Sequence, residues 1–236
     1  MSEWKARRFW TAATVEEVAG GYTVRLDGRP VKSPSKTELI MPSRALAGGV
    51  AAEWDAQAEV IDPLSMPLTR AVNSTLDKVM PQAEAVAAHL AEYGGSDLLS
   101  YRAAGPAELV ARQCAAWDPM LDWAAEALGA RLAVTEGVMP AAQPANATEA
   151  LHARVAALSA WELTALSEFV TLSGSLVLGL AAMAEQDIET LWRASRIDED
   201  WQIEQWGPDE EEQKLTASRR AAFLQAARYL ELLRAG

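Results

Sequence analysis

The sequence predicts an α+β fold: a small β-rich N-terminal domain over residues 1–75, holding one or two helices, and a larger all-helical C-terminal domain over 76–236. Three observations predict it. Strand-like residues flank an Asp27-Gly28 pair, a strong hairpin signal. From Leu68 almost to the end, apolar residues recur at helical spacing. The composition, 50% hydrophobic and 23% charged, is that of a core-forming globular protein. The 236 residues suffice for one large domain or two small ones, and the boundary falls between 58 and 81.

In the first domain Tyr22-Thr23-Val24-Arg25-Leu26 alternates, and Val31-Lys32 starts the return strand. Pro34 breaks or edges that strand, and Glu38-Leu39-Ile40-Met41 resumes as another. Val15 and Val18 allow one more strand before Gly20-Gly21. Pro42-Ser43 opens a helix with Ser43 as its N-cap, and Leu46, Val50 and Trp54 form its apolar stripe. Gly48 and Gly49 cost this helix about 1 kcal/mol each relative to alanine. Either close packing against the sheet offsets that cost, or the helix kinks there. Pro63, Pro67 and the residues between them read as a linker.

The helical domain follows stripe by stripe. Leu68, Val72, Leu76 and Val79 make the first; after Pro81, Val86, Leu90 and Tyr93 make the second. Gly94-Gly95 is expected to end that helix by supplying the left-handed conformation of a C-cap. A third helix starts near Pro106, carries Leu109, Gln113 and Trp117, kinks or restarts at Pro119, and ends at Gly129. Residues 137–144 read as a loop. Asn146-Ala147-Thr148-Glu149 is close to a capping box ahead of Leu151, Val155 and Leu158. Residues 163–183 are apolar nearly all round and predict a central buried helix. Asp187 caps the next, with Ile188, Leu191, Trp192 and Ser195 on one face, and Trp206-Gly207-Pro208 stops it. The last helix carries Leu215, Phe223, Ala226, Leu230 and Leu233.

Charge and motifs exclude several function classes. A net charge of -12 argues against nucleic acid or an anionic membrane surface as the partner, and favours a partner with basic patches. The segment 168–185 is the most apolar, yet shorter than the about 20 residues that span a bilayer. No membrane insertion is expected. Met1-Ser2-Glu3-Trp4-Lys5-Ala6-Arg7-Arg8 has no apolar run behind it and reads as no secretory signal. One cysteine, Cys114, leaves no internal disulfide and fits a reducing compartment. The bacterial cytoplasm is expected, or the mitochondrial matrix for a processed eukaryotic form. Two Asn-x-Thr matches, at Asn73 and Asn146, are then chance.

No catalytic constellation stands out. His89 and His152 are isolated among aliphatic residues, so neither metal nor cofactor is expected, and both histidines read as structural or surface residues. No nucleophile elbow, phosphate loop or dinucleotide fingerprint occurs. Cys114 reads as a buried, inert thiol. What remains is acidic. Asp198, Glu199, Asp200 and Glu204 share one predicted helix, and Asp209, Glu210, Glu211 and Glu212 begin the next. Carboxylates at a helix N-terminus offset its partial positive charge, which accounts for about two of the second group. A solvated face with Arg193 and Arg196 as local partners accounts for the first. Of nine tryptophans, Trp54, Trp117, Trp123, Trp161 and Trp192 lie on or near apolar stripes. Trp201 and Trp206 instead flank carboxylates beside a Gly-Pro turn, the composition of an interface hot spot or of a pinned turn.

The run Leu26-Asp27-Gly28-Arg29-Pro30-Val31-Lys32, then Glu53-Trp54-Asp55-Ala56-Gln57, then Met66-Pro67-Leu68-Thr69-Arg70 and finally residues 198–209 give the chain its resemblance. With Ser96-Asp97-Leu98-Leu99, Tyr101-Arg102, Gln113, Trp117-Asp118-Pro119, Gln143-Pro144 and Ser175-Leu176-Val177-Leu178 between them, the chain resembles the assembly chaperones of the alpha subunit of the F-type ATP synthase catalytic sector. Ser33 stands where threonine is usual, and Pro208 where an acidic residue often follows Trp-Gly. The resemblance implies a protein that is not an enzyme and uses no cofactor. It would bind the free alpha subunit without ATP or metal, prevent its aggregation until beta arrives, and be monomeric when free. Two tryptophans, a Gly-Pro turn and more carboxylates than a helix N-terminus needs single out Trp201, Glu204, Trp206, Asp209, Glu210, Glu211 and Glu212 as the partner-binding residues, and the resemblance points to the same segment. The other classes are an interaction module for a different partner, and an enzyme with an unrecognised carboxylate site in a deep pocket.

Overall fold

The computed structural model describes residues 7–137, 139–140 and 142–235. Most of the N-terminal segment read above as no secretory signal, and two positions of the loop 137–144, lie outside them. The chain divides into two compact units: Met1–Gln82 with Arg228–Gly236, and Ala83–Ala227. A small strand region is followed by a mostly helical remainder, the α+β order the sequence predicts.

In the first unit β1 (Ala13–Val18), β2 (Gly21–Leu26) and β3 (Arg29–Pro30) form an antiparallel sheet in that order. Asp27 (φ 47) and Gly28 (φ 82) make the turn in the left-handed region, as a two-residue hairpin requires. The Asp27 carboxylate accepts from the backbone N–H of Thr11 and of Ala12, at 2.9 and 3.0 Å. Residues 38–41 pair only at isolated points, Lys32 with Glu38 and Tyr22 with Met41, and so form no further strand. Gly21 lies where Met41 passes: a Cβ there would sit 2.2 Å from the Met41 carbonyl oxygen.

Helix α1 (Arg44–Asp55) packs on β1 and β2, and Ser43 caps it by accepting from the N–H of Ala45 and Leu46. The glycine pair resolves differently from the expectation. A Cβ on Gly49 would meet Leu68 at 2.7 Å and Leu232 at 3.0 Å, so the close neighbours are helical side chains rather than the sheet. Gly48 has no atom within 4 Å of that position. The expected linker around Pro63 and Pro67 is a 3₁₀ turn, Pro63–Ser65, running into α2 (Pro67–Ser74) and a π turn, Thr75–Val79. Ser43 Oγ also donates to the Leu232 carbonyl at 2.6 Å, binding the C-terminal residues into this unit.

The second unit is built from α3 (Ala83–Glu92), α4 (Ala107–Ala127), α5 (Ala145–Ala156), α6 (Ala160–Ser173), α7 (Leu176–Met183), α8 (Ile188–Ala194), α9 (Ile197–Trp206) and α10 (Glu210–Arg234), whose last turns belong to the first unit. A short parallel pair, β4 (Tyr101–Arg102) with β5 (Thr135–Glu136), joins the long loops. Gly94 and Gly95 do not adopt the left-handed C-cap expected of them. They end a 3₁₀ turn, Tyr93–Gly95, and Gly94 is packed: a Cβ would lie 2.8 Å from Leu151. Helix α4 runs through Pro119 without restarting. Asn146 is no cap; Pro144 precedes α5 and no side chain caps it.

The apolar stretch 163–183 is buried as expected but is two helices. Gly174 (φ 72) ends α6, and Ser175 caps α7 by accepting from the Leu178 N–H. Helix α6 starts from a capping box, Ser159 with Glu162, that carries no warning in the apolar pattern. The helix expected from Asp187 to Trp206 likewise breaks, at Ser195-Arg196, into α8 and α9. Phe169, Phe223 and Trp192 form an aromatic cluster, with ring centroids 5.1 and 5.5 Å from Phe223. Among the described residues, no helix is long and apolar enough to cross a membrane.

Candidate functional site

The residues singled out from the sequence lie on α9, the turn after it, and the first turn of α10. Helix α4 holds the end of α8 and the start of α9. Trp117 Nε1 donates to the Ala194 carbonyl at 2.7 Å, Gln113 Nε2 donates to Asp198 at 2.6 Å, and both donors are buried. Gln113 meanwhile accepts from the Ala103 N–H at 2.8 Å. Gln113 and Trp117, both among the residues of the resemblance, therefore brace the break between α8 and the acidic helix α9.

Glu204 is not a free carboxylate. Both its oxygens accept from Arg112 Nη1 at 2.8 Å, and Arg112 Nη2 reaches Glu108 at 2.9 Å. The same guanidinium lies over the Trp201 ring, 4.8 Å from its centroid. The Arg112 bond holds the Glu204 carboxyl below its ordinary value, and the two carboxylates raise Arg112. Of the expected local partners, Arg196 does pair with Glu199 of the same group at 3.1 Å, whereas Arg193 donates to Thr190. Trp201 itself is buried at 9% exposure, whereas Trp206 is 79% exposed at the end of α9. The sequence pattern grouped these tryptophans; the structure gives them opposite environments.

The second acidic group divides the same way. Asp209 caps α10, accepting from the Glu212 N–H at 2.9 Å. Glu210 pairs with Lys214 one turn on at 2.6 Å, and Glu212 lies 3.9 Å from Arg196. Glu211 is exposed. Residues 204–211 are all exposed, Trp206 at 79%. Arg112 is the residue that sequence reading missed. Its spacing from Glu108, one helical turn, was a readable signal; its bond to Glu204, 92 residues away, was not.

Among the described residues, no group of three or more His, Cys, Asp or Glu side chains could hold a metal ion. His89 and His152 are exposed. Cys114 is half-buried on α4, not the buried thiol expected. Other residues of the resemblance serve as internal braces. Glu53 accepts from Leu68 N–H, Thr69 N–H and Thr69 Oγ1 at 2.7–2.8 Å, closing the open end of α2. Fully buried Asp97 accepts from Leu99 N–H, Ser175 Oγ and Val177 N–H at 3.0, 2.7 and 2.9 Å, fixing the α6–α7 break. Gln143 bonds both backbone groups of Ala133.

The net charge is unevenly placed. The first unit holds 12 Lys and Arg against 11 Asp and Glu, a net of +1; the second holds 9 against 22, a net of -13.

Comparison with known proteins places these features in a family. The model of the family described as "ATP12 chaperone protein" matches residues 7–125. The chain is 50% identical to the Atp12 of Paracoccus denitrificans, whose crystal structure superposes with a TM-score of 0.95 over 98% of this chain and 100% of that one. It is 42% identical to the Atu1473 protein of Agrobacterium tumefaciens, with a TM-score of 0.91 over 97% of this chain and 86% of that one. The mitochondrial atp12 protein of Schizosaccharomyces pombe is 22% identical over 214 residues, 85% of this chain and 74% of the relative.

Proposed function

The chain belongs to the ATP12 chaperone family, and from that premise we propose that it serves ATP synthase assembly by holding the free alpha subunit of the catalytic sector until that subunit pairs with beta. It does so as a monomer, without ATP, metal or catalysis, in the bacterial cytoplasm. By covering the apolar surface that later meets beta, it keeps the subunit from aggregating. The contact surface is the α9–α10 turn, with Glu204, Trp206, Asp209, Glu210, Glu211 and Glu212 facing basic residues of the client and Trp201 buried behind them.

The observation that carries this reading is the concentration of charge. The second unit bears a net of -13, and its α9–α10 turn sets a 79% exposed tryptophan among carboxylates. An exposed aromatic anchor ringed by charge is the composition of a binding hot spot. A catalytic carboxylate dyad would instead need a dry cleft.

The test is aggregation of purified alpha subunit, followed by light scattering, with wild-type protein, with Glu210→Lys/Glu211→Lys, and with Trp206→Ala. Neither variant loses a buried contact: Trp206→Ala keeps the wild-type melting temperature, and the charge reversal, which gives up the exposed Glu210–Lys214 pair and charge compensation at the helix N-terminus, lowers it only slightly. Both are expected to suppress aggregation less well. Suppression equal to wild type by both folded variants places the contact surface elsewhere. Failure of the wild-type protein itself to hold the subunit removes the proposed function.

A further inference from the structure

The ion pair on α9 has the construction of a receptor with its ligand already seated. Arg112 lies over the Trp201 indole with its Cζ 4.8 Å from the ring centroid, meets both oxygens of Glu204 through Nη1 at 2.8 Å, and reaches Glu108 through Nη2 at 2.9 Å. Two carboxylates, one on each terminal nitrogen, and an aromatic face together form the complement of one guanidinium. The guanidinium that fills it comes from the chain itself. Arg112 is 39% exposed and Glu204 50% exposed, so the pair sits at the surface, where exchange with a partner's side chain needs no unfolding.

We propose that Arg112 is an internal stand-in for an arginine of the partner protein, and that docking exchanges the one for the other on Glu204, Glu108 and Trp201. This rests on the reading that the α9–α10 face meets the client. An exchange of like for like keeps both carboxylates paired at every stage, so the bound state leaves no acidic residue unmatched while Arg112 moves out into solvent. It also sets specificity. A lysine carries the charge but neither the fork nor the planar stacking surface, so a partner arginine is favoured over a partner lysine. The stand-in lowers affinity for any single exposed arginine, because each must compete with a group tethered in place. Only a partner that also engages Trp206 and the neighbouring carboxylates displaces it.

The inference can be read without the client. N-acetyl-arginine amide is titrated into wild-type protein, Arg112→Ala and Arg112→Ala/Glu204→Gln, with the Trp201 indole N–H followed by NMR; Trp201→Phe assigns that resonance. Vacating the site is expected to make the probe bind Arg112→Ala at least tenfold more tightly than wild type, and at least tenfold more tightly than N-acetyl-lysine amide binds. The double variant is expected to lose that gain. Arg112→Gln, which keeps a shorter, polar side chain, is carried alongside as a second vacated form in case Arg112→Ala does not fold. If neither vacated form gains affinity, or if both bind the lysine probe equally well, Arg112 is a surface strut and the inference falls. In a parallel arm, both vacated forms are expected to hold alpha subunit at least as tightly as wild type; weaker holding means that Arg112 positions Glu204, and overturns the exchange. A wild-type protein that holds no alpha subunit removes the proposed function, while the probe titration still decides whether the receptor exists.

Discussion

Asp97 shows how a residue that marks a family can be structural. Its carboxylate is fully buried and accepts three hydrogen bonds, two of them from N–H groups in separate segments. Replacing it by asparagine sets an amide N–H against one of these donors. Asp97→Asn is expected to lower unfolding stability by about 1–3 kcal/mol, read by urea denaturation at neutral pH. Burial pushes the Asp97 carboxyl above its ordinary value of 3.8, against the hydrogen bonds that oppose the shift. The native state then holds its proton more tightly than the unfolded chain does. The proton-linked part of the stabilisation from this group is therefore full below about pH 3.8 and is lost as pH rises through the folded value, while the hydrogen bonds to the carboxylate remain. The stability difference between wild type and Asp97→Asn should accordingly shrink from about pH 4 upward and then level off; a difference flat with pH contradicts it. Glu53 is the parallel case in the first unit, bracing the start of α2 rather than facing a partner.

Among the elements, α1 gives the sharpest contrast. Gly48 and Gly49 are adjacent and both helical, yet only Gly49 lies against neighbouring side chains. Gly48→Ala should stabilise by about 1 kcal/mol, the ordinary gain for alanine within a helix. Gly49→Ala should destabilise by about 1–3 kcal/mol, because its Cβ must displace Leu68 and Leu232. Chemical denaturation of the two variants checks the sign of each, and equal shifts in one direction would refute the packing account. The breaks within 163–183 and after Asp187 were harder to read for one reason. An apolar run buried all round has no polar face whose phase could slip, so its period does not mark where one helix stops and another begins. At Gly174-Ser175 the break is fixed by Ser175 and Asp97, which are 78 residues apart.

At the scale of the whole molecule, charge is the quantity with consequences for association. With a net of -13 on one unit and +1 on the other, long-range attraction to a basic client acts on the second unit. Raising ionic strength from about 0.05 to 0.5 M shortens the Debye length from roughly 14 to 4 Å, and association with alpha subunit should slow by about tenfold or more. Stopped-flow mixing at several salt concentrations checks this; a rate indifferent to salt leaves no role for the acidic unit in steering. The sequence contains no phosphate-binding loop, so isothermal titration with ATP and magnesium should give no saturable heat. Micromolar binding would reopen the enzyme reading.

By itself the sequence determined what is set by neighbours along the chain. The Asp27-Gly28 hairpin, the Ser43 and Asp187 caps, the end of α4 at Gly129 and the α+β order were legible because turn chemistry and apolar period act over a few residues. The acidic and tryptophan-rich stretch was legible as composition only. Tertiary structure decided that Trp201 is covered while Trp206 is open, that Glu204 is paired with Arg112, that Gln113 holds Asp198, and that the last turns of α10 belong with the N-terminal strands. Each of these depends on groups tens of residues apart meeting at hydrogen-bond distance. Such meetings follow from how whole helices pack, and no local period or propensity encodes them.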